Sequence, residues 1–504
     1  MDYLFGMSPL VLALVTLCFA AVAIKIHGRT NKRRRYHPLA GTVLDHLFNY
    51  HRLLDFITEL TRKRKTYRML GFLRAEVYTA DPVNIEHFLS GNFANYGKGS
   101  YQHSILSDLL GDGIFTVDGV KWKHQRKAAS YQFSTRLLKD FSSSVFRTNA
   151  RKLAGIVSEA AISNNTVELQ GLFMKSALDS VFKVVLGVEL DTMCGTYEEG
   201  TRFSNAFDEA STATFYRYVD VFWKIKRHLN IGSEAVLRNN ARVVDQFVYK
   251  VIRTKIQQVQ KQQDDSPVVN GDMLSRFIEL KETDPKYLKD IILSFIIAGK
   301  DTTGSTLSWF VYLLCKHPHI QEKIAQEILE ATKVRGDVTA EKLAASLTED
   351  ALEKMQYLHA ALTETLRLYP AVPVDGKYCL SDDILPDGFT VRKGDVMAYS
   401  PYAMGRMKYL WGDDAELFKP ERWLDHNGIF QHESSFKFTA FQAGPRICLG
   451  KEFAYRQMKI FAAVLLGCFK LKLADEKRSA RHRSMLTLQI DGGLHVLASQ
   501  RSKL

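Results

Sequence analysis

A single cysteine in a glycine-rich loop constrains this chain more than any other feature of its sequence. Cys448 lies in the stretch FQAGPRICLG, residues 441–450, two positions after Arg446 and two before Gly450. A thiolate beside an arginine and backbone N–H groups has a lowered pKa and can ligate a metal ion. Gly444 and Gly450 allow the backbone to turn tightly and to approach a large, flat ligand. The loop therefore predicts a metal held by one thiolate, with Arg446 placed to pair with a carboxylate.

The spacing around Cys448 is more informative than the cysteine itself. Taken alone, Cys448 is better explained as one more buried cysteine. The pattern F-x-x-G-x-R-x-C-x-G fixes five positions, and it arises by chance in such a chain on the order of once in ten thousand. A porphyrin fits this pattern, because it has a flat face for Phe441 and propionates for Arg446. The loop is therefore compatible with a porphyrin beside Cys448.

The composition narrows the class of protein. The chain has 504 residues, 46% of them hydrophobic, which suits one large helical enzyme or several ordinary domains. Its six cysteines show no paired spacing, which argues against a disulfide scaffold and favours a reducing compartment. The net charge of +13 is concentrated in short runs without any nucleic-acid-binding motif. A membrane or an acidic protein partner therefore explains this charge better than nucleic acid.

The first residues predict a membrane anchor. The stretch 4–24 is apolar and long enough to cross a bilayer as a helix of roughly 20 residues. Basic residues follow it from Lys25 onward, so the positive-inside rule leaves the rest of the chain in the cytosol. A cleaved signal peptide would need basic residues before the apolar run, and these are missing. We expect an anchor over 1–28, a basic linker over 29–50 and a catalytic domain over 51–504.

Two compartments are compatible with the ends of the chain. The predicted anchor indicates the endoplasmic reticulum membrane, with a single pass and a cytosolic catalytic domain. Ser502, Lys503 and Leu504 spell a peroxisomal address. An anchor that leaves the ribosome first commits the chain to the endoplasmic reticulum before this tail exists. The peroxisome stays as the alternative.

Hydrophobic periodicity predicts a mainly helical body with small sheets. Long amphipathic helices are expected over 137–160, 167–186 and 234–263, and a short strand over 75–79. The stretch 262–272 is polar and rich in breakers, which predicts a surface loop. No glycine-rich nucleotide-binding motif follows a strand, so nucleotide-binding folds are dropped.

The loop pattern resembles the haem-binding loop of the cytochrome P-450 superfamily of haem-thiolate enzymes. The resemblance implies the mainly α fold of that family, a large helical haem domain with small β-sheets behind one N-terminal transmembrane helix. It implies haem b as cofactor, with Cys448 as axial iron ligand, in a monooxygenase that uses dioxygen. The sequence contains no flavin or Fe–S motif, so electrons must come from another protein, and the resemblance implies that NADPH-cytochrome P-450 reductase supplies them from NADPH.

The resemblance predicts further motifs, and the first is E-x-x-R. Glu364 and Arg367 lie in LTETLRLYP, three residues apart on one helix face. Flanking leucines indicate burial, and a buried pair needs further partners to offset its desolvation. The family supplies an arginine from a later P-E-R-F-like loop, which here reads PERW. Arg422 would therefore complete a structural triad, while Trp423 keeps the aromatic character of the usual Phe.

The second motif is W-x-x-x-R, which Trp122 and Arg126 provide in VKWKHQRK. They lie one helical turn apart, and an indole N–H and a guanidinium both donate to a propionate. An ordinary basic amphipathic helix is the alternative explanation. By family position, Lys377 falls where a basic residue often reaches the other propionate.

The third motif is A-G-x-D-T-T, within SFIIAGKDTTGSTLSW at 294–309. Gly299 and Thr302 weaken the middle of an apolar helix, because the Thr302 hydroxyl can donate to the carbonyl of Ala298. The groove that opens would hold dioxygen and water. The resemblance assigns Asp301 and Thr302 as the acid–alcohol pair that delivers protons during oxygen activation. A Thr-rich helix turn with a surface Asp is the alternative.

The substrate is indicated less directly. The segments at 109–127, 206–232 and 439–460 resemble those of the plant cytochromes P-450 that hydroxylate long-chain fatty acids at the terminal carbon. The second is rich in aromatic residues, which suits an acyl chain, a membrane-facing surface or plain packing. Some animal fatty-acid hydroxylases carry, at the position of Ala298, a Glu that can esterify the haem; this chain cannot do so. Candidate pocket walls by family position are Ile297, Ala298, Val372 and Val374.

The resemblance favours a membrane-bound monooxygenase that hydroxylates long-chain fatty acids, with a basic surface for its reductase. A basic surface suits an acidic partner, although it also serves solvation. An alternative within the family is a hydroxylase of another apolar substrate, such as a terpenoid, hormone or alkane. Further alternatives are a haem-thiolate isomerase or dehydratase and a non-catalytic haem binder. The lysines of the basic surface are Lys121, Lys123, Lys127 and Lys451.

Overall fold

The computed structural model describes most of the predicted catalytic domain. The described residues are 49–70, 75–133, 135–262, 271–477, 479–483 and 485–501. The predicted anchor over 1–28 and the residues Ser502–Leu504 lie outside the described residues, as do nearly all of the linker and of the loop predicted at 262–272. Across the described ranges, no helix is both long enough and apolar enough to cross a bilayer.

Helices carry most of the described chain, as the sequence predicts. They are, in chain order, α1 (Leu53–Lys63), α2 (Pro82–Glu86), α3 (Gly99–Leu110), α4 (Gly119–Phe133), α5 (Arg136–Ile162), α6 (Leu169–Leu186), α7 (Glu198–Tyr216), α8 (Trp223–Leu229), α9 (Ser233–Gln262), α10 (Met273–Glu279), α11 (Pro285–Lys316), α12 (Pro318–Thr332), α13 (Ala340–Ser346), α14 (Glu349–Lys354), α15 (Gln356–Leu368), α16 (Pro401–Met404), α17 (Lys408–Trp411) and α18 (Lys451–Cys468).

Short strands form small sheets at the edge of the helical body. They are β1 (Thr66–Leu70), β2 (Ala75–Thr79), β3 (Tyr96–Gly97), β4 (Val167–Glu168), β5 (Asp375–Cys379), β6 (Asp383–Ile384), β7 (Thr390–Val391), β8 (Val396–Tyr399), β9 (Phe469–Leu473), β10 (His482–Arg483), β11 (Gln489–Ile490) and β12 (His495–Gln500). The largest sheet has the order β1-β2-β8-β5-β3, and a second has the order β4-β12-β9. Strands β2 and β8 are parallel, with Val77 opposite Met397.

The predicted helices and strand are confirmed, with one correction at a helix start. The strand over 75–79 is β2, and the helices over 137–160 and 234–263 are α5 and α9. The helix expected from residue 167 begins two residues later, because Val167 and Glu168 form β4 against β12. The Glu168 carboxylate then accepts hydrogen bonds from the first N–H groups of α6, which caps that helix.

Helix α11 runs through the centre of the molecule and packs along α6. Gly299 allows this close approach, since a Cβ there would lie 2.8 Å from a methyl carbon of Val181. The helix stays continuous over 32 residues. The weakening predicted at Gly299 and Thr302 therefore does not break it, and the glycine serves helix packing.

Candidate active site

The loop that carries Cys448 is folded by its own backbone just before α18 begins. The Cys448 N–H donates to the Phe441 carbonyl over 2.8 Å, and a 3₁₀ turn at Gly444–Arg446 lies between them. Gly444 has a φ of +64°, and a Cβ there would overlap the Leu89 carbonyl, so only glycine fits. A Cβ on Gly450 would meet nothing closer than 4.0 Å, and Cys448 Sγ is one of its nearest atoms. Gly450 thus leaves space beside the sulfur, whereas Gly444 permits close packing on Leu89.

The Cys448 thiol faces a large internal cavity. The cavity encloses about 1550 Å³ including its mouth, and its walls come from α4, α11, α18 and the segment after α15. The side chain of Cys448 is open to the cavity, but desolvation by the surrounding protein raises the pKa of its free thiol, although the Gly450 N–H, Arg126 and Lys451 oppose this. The lowered pKa expected beside Arg446 is therefore wrong for the free thiol, because desolvation outweighs the nearby cations.

Arg446 and Trp122 meet at one side of the cavity, and a carboxylate joins them. Arg446 donates to Asp118 over 2.6 Å, and its guanidinium carbon lies 4.3 Å from the centre of the Trp122 ring. The Arg446 Nε is buried, and no hydrogen-bond partner for it lies among the described residues. Sequence reasoning missed Asp118, which lies 328 positions from Arg446 in the chain. Arg446 thus keeps one buried donor that could serve a ligand carboxylate.

Arg126 also lines the cavity, one turn after Trp122 on α4. Burial lowers the pKa of its guanidinium. Within the described parts of the chain, Arg126 makes no hydrogen bond or ion pair with a carboxylate. A half-buried cation of this kind is stabilised when an anionic ligand approaches it. Arg126, the Arg446 Nε and the space beside Cys448 Sγ together fit a flat ligand that carries carboxylates, as haem does.

Lys377 does not lie on the cavity wall. It is buried in β5 and donates to Asp375 over 2.5 Å, and burial lowers the pKa of its ammonium to about 8. Asp375 and Lys98 line the cavity instead, with 3.7 Å between Lys98 Nζ and an Asp375 oxygen. Lys98 is therefore the lysine that lines the cavity here, and Lys377 pairs with Asp375 without reaching the wall.

Two adjacent residues of α11 face different directions. Thr302 lines the cavity, and its hydroxyl donates to the Ala298 carbonyl over 2.5 Å, as the sequence predicts. Asp301 is absent from the described cavity wall and pairs with Lys300 over 3.0 Å. The acid and the alcohol of the expected pair are therefore neighbours in the chain, but only the alcohol contacts the cavity.

Glu364, Arg367 and Arg422 come together behind the haem-loop segment in a closed network. Arg367 donates twice to the Glu364 carboxylate, over 2.7 Å each, and both side chains are fully buried. Arg422 Nε lies 3.4 Å from Glu364 and is nearly as buried. The Trp423 indole N–H donates to the same carboxylate over 2.9 Å, and its ring packs on Phe438. Trp423 is thus a fourth member of the network, a role that its aromatic character alone did not predict.

The cavity wall includes some of the predicted pocket residues and excludes others. Ala298 and Val372 line it, whereas Ile297 and Val374 pack into the core. Ile114 and Phe115 also line it, although they were not singled out within 109–127. No periodicity marks them, because they lie in an irregular segment between α3 and α4.

The lysines of the predicted basic surface differ in their partners. Lys121 donates to Asp112 over 2.8 Å. Lys123 and Lys127 are exposed on α4 and, in the part of the chain that the structure describes, make no ion pair. Lys451 begins α18 beside the cysteine loop. Three of the four lysines thus keep charge available for a partner.

Comparison with known proteins identifies the family. The model of the cytochrome P450 family matches residues 35–496. Cytochrome P450 704C1 of Pinus taeda is 51% identical, and the match covers 93% of each chain. Cytochrome P450 704B1 of Arabidopsis thaliana is 42% identical over 97% of this chain and 100% of its own. Cytochrome P450 94A1 of Vicia sativa is 35% identical, over 92% and 90% respectively.

The chain belongs to the cytochrome P450 family. It is accordingly a haem-thiolate monooxygenase, with an iron haem held by a cysteine and electrons supplied by a reductase. The predicted resemblance, the class of enzyme and the cofactor are confirmed.

Proposed function

We propose that this monooxygenase hydroxylates long-chain fatty acids at the terminal carbon, with its catalytic domain on the cytosolic side of a membrane. One observation carries the proposal: a large, mainly apolar cavity meets Cys448, and its charged side chains are confined to one set. Within the described residues that set is Lys98, Arg126, Asp375 and Arg446. Because haem carboxylates would occupy this set, the remaining wall suits an apolar chain end rather than a carboxylate head.

Cys448 is the proposed iron ligand. Arg126, Arg446 and Lys98 would hold the haem carboxylates, and Trp122 would support Arg446 by stacking. When bound, the haem supplies activation of dioxygen by a thiolate-ligated iron. The network of Glu364, Arg367, Arg422 and Trp423 would keep the loop in place during turnover, because Trp423 packs on Phe438 just before the loop.

The reaction inserts one atom of dioxygen into the terminal C–H bond and releases the other as water. Two electrons come from NADPH through a reductase, and two protons complete the water. Asp301 and Thr302 are the proposed pair for proton delivery; the Thr302 hydroxyl donates to the Ala298 carbonyl, so its oxygen is left to accept a hydrogen bond on the cavity side. Ile114, Phe115, Ala298 and Val372 would hold the acyl chain and exclude water.

The proposed redox partner is NADPH-cytochrome P-450 reductase, and the proposed location is the endoplasmic reticulum membrane. Lys123, Lys127 and Lys451 offer positive charge to an acidic partner. Exposed apolar side chains between α7 and α9, such as Phe222, Ile225 and Ile231, support contact with lipid on another face.

The test combines purified chain, reductase, NADPH and fatty acids from laurate to oleate, with products identified by mass spectrometry. We expect terminal alcohols, formed in proportion to the oxygen consumed. Products only from terpenoids or hormones would overturn the proposed substrate class, and turnover without oxygen consumption would favour an isomerase or dehydratase.

Thr302→Ala should lower the product formed per NADPH about 10²-fold, as loss of a group that takes part in proton transfer does, and should keep the haem. Cys448→Ala should abolish the thiolate-type absorption band of the CO complex.

A further inference from the structure

The segment between α3 and α4 is held at one peptide by buried side chains from two helices. The Asp112 N–H donates to the Asp290 carboxylate of α11 over 2.9 Å. The Asp112 carbonyl accepts a hydrogen bond from the Gln125 amide of α4 over 2.7 Å. Asp290 and Gln125 are almost fully buried, so both hydrogen bonds are shielded from competition by water. The Asp112 peptide is therefore fixed to both helices.

Two glycines beside this peptide allow the segment to lie directly on α11. Gly111 has a φ of +54°, and a Cβ there would overlap the Asp290 carboxylate. Gly113 has no left-handed φ, but a Cβ there would overlap Ser294 Oγ and lie 2.7 Å from the Asp290 carbonyl oxygen. Glycine thus occurs at the positions where the segment meets the surface of α11.

The residues that follow Asp112 form a tight turn that joins the fixed peptide to the cavity wall. The Thr116 hydroxyl donates to the Gly113 carbonyl over 2.9 Å, and the Thr116 N–H donates to the same carbonyl over 3.0 Å. Ile114 and Phe115 lie between these two residues in the chain, and both line the cavity. A displacement of the Asp112 peptide would therefore move two side chains of the cavity wall.

A lysine contacts the same carboxylates from the solvent side. Lys286 Nζ lies 2.9 Å from an Asp290 oxygen and 3.2 Å from an Asp112 oxygen, but its side chain is 60% exposed. Ion pairs of an exposed lysine stabilise little, whereas a buried N–H that loses its acceptor is costly. Lys286 therefore offers a matched control, because it contacts Asp290 without holding the backbone of the segment.

We propose that Asp290 and Gln125 are positioning residues that fix the cavity-lining part of this segment, so that attack on the acyl chain is restricted to its terminal carbon. The proposal rests on the proposed function, since it assigns residues that set the position of hydroxylation. A terminal C–H bond is stronger than the C–H bonds of the in-chain methylene groups, so a loose wall favours in-chain attack. Terminal attack therefore requires a wall fixed relative to the reacting atoms. Helices α11 and α4 also carry Thr302 and Arg126, so the wall is fixed to the helices that surround the reaction.

The test measures the ratio of in-chain to terminal alcohols that the haem-loaded enzyme forms from laurate with reductase and NADPH. Asp290→Ala and Gln125→Leu should each raise this ratio severalfold, while the total rate changes less. Asp290→Asn should keep the wild-type ratio, because its amide oxygen still accepts from the Asp112 N–H. Lys286→Gln should also keep it, because the hydrogen bond between Asp112 and Asp290 remains.

A variant of the segment itself keeps the test decisive if Asp290→Ala does not fold. Gly113→Ala leaves both buried side chains intact but pushes the segment away from Ser294, so it should raise the ratio as Asp290→Ala does. Amide hydrogen exchange adds a readout without turnover, and exchange over 111–118 should be faster in Asp290→Ala but not in Asp290→Asn.

The proposal and the proposed function can fail separately. Faster exchange over 111–118 with a wild-type product ratio would make Asp290 a structural group only and overturn the proposal, as would an equal change of the ratio in Lys286→Gln. A wild type that hydroxylates only another apolar substrate would overturn the proposed function, and the carbons attacked on that substrate would then test Asp290 with the same variants.

Discussion

Two buried charge clusters of this molecule differ in whether they are closed. The cluster of Glu364, Arg367 and Arg422 is closed at its centre, where the carboxylate and the first arginine are fully buried, and only Arg422 also reaches a partly exposed carboxylate, Asp414. The cluster of Asp208, Lys300 and Asp301 is open, because its outer carboxylate is half exposed. Both satisfy buried charges with opposite charges, which buried ions require.

The difference lies in how far each cluster holds neighbouring backbone segments in place. In the closed cluster, Arg367 also donates to the carbonyls of Gly405, Ala415 and Leu417, so every direction around it is occupied by protein. The hydrogen bonds of Arg367 therefore hold these backbone segments in place. In the open cluster, one end reaches solvent and the other adjoins Thr302.

The largest expected effect follows from breaking the closed cluster. Arg367→Leu leaves the Glu364 carboxylate buried with less charge compensation, which should cost about 3–5 kcal/mol of folding free energy. Most of the expressed protein should then fail to retain haem, as measured by the CO-difference spectrum and by chemical denaturation. Asp350→Asn is the control, because Asp350 forms only an exposed ion pair with Lys354; it should change stability by less than about 0.5 kcal/mol. Normal haem retention in Arg367→Leu would contradict a structural role for the cluster.

A smaller effect is expected at the fourth member of the closed cluster. Trp423→Phe keeps an aromatic ring against Phe438 but removes the N–H that donates to Glu364. Leaving one acceptor site of a buried carboxylate unsatisfied should cost about 1–3 kcal/mol of folding free energy. Trp411→Phe gives a comparison, since its indole N–H donates to the neutral Met404 carbonyl over 3.0 Å. If Trp423→Phe were no more destabilising than Trp411→Phe, the Trp423 indole would stabilise the fold through packing and not through its hydrogen bond to Glu364.

The two clusters also show which contacts a sequence reveals. Glu364 with Arg367, and Thr302 with Ala298, are three or four residues apart on a helix, so helical geometry predicts both contacts. Arg446 with Asp118 and Lys300 with Asp208 join distant segments, and no periodicity encodes such pairs.

Lys377 and Trp423 illustrate the same limit at single positions. Family position indicated a basic residue near the ligand, but Lys377 is buried and donates to Asp375, two residues earlier on the same face of β5, and it is Asp375 that lines the cavity. The aromatic character of Trp423 was readable, while its hydrogen bond to Glu364 depends on how two distant segments pack. Motifs therefore located the site, and tertiary packing decided which atoms face it.

The smallest expected effect concerns charges outside both clusters. Lys123 and Lys127 are exposed on α4 and lack ion pairs in the described ranges, so they add to the long-range field of the surface beside the cysteine loop. Changing both to Glu should raise the KM for the reductase severalfold with kcat nearly unchanged, and added salt should narrow the difference from the wild type because it screens exposed charges. Lys121→Gln on the same helix should have less effect, since Asp112 already neutralises Lys121 over 2.8 Å. An equal effect of Lys121→Gln and of Lys123→Gln at matched ionic strength would show that net charge alone, and not the unpaired lysines, attracts the reductase.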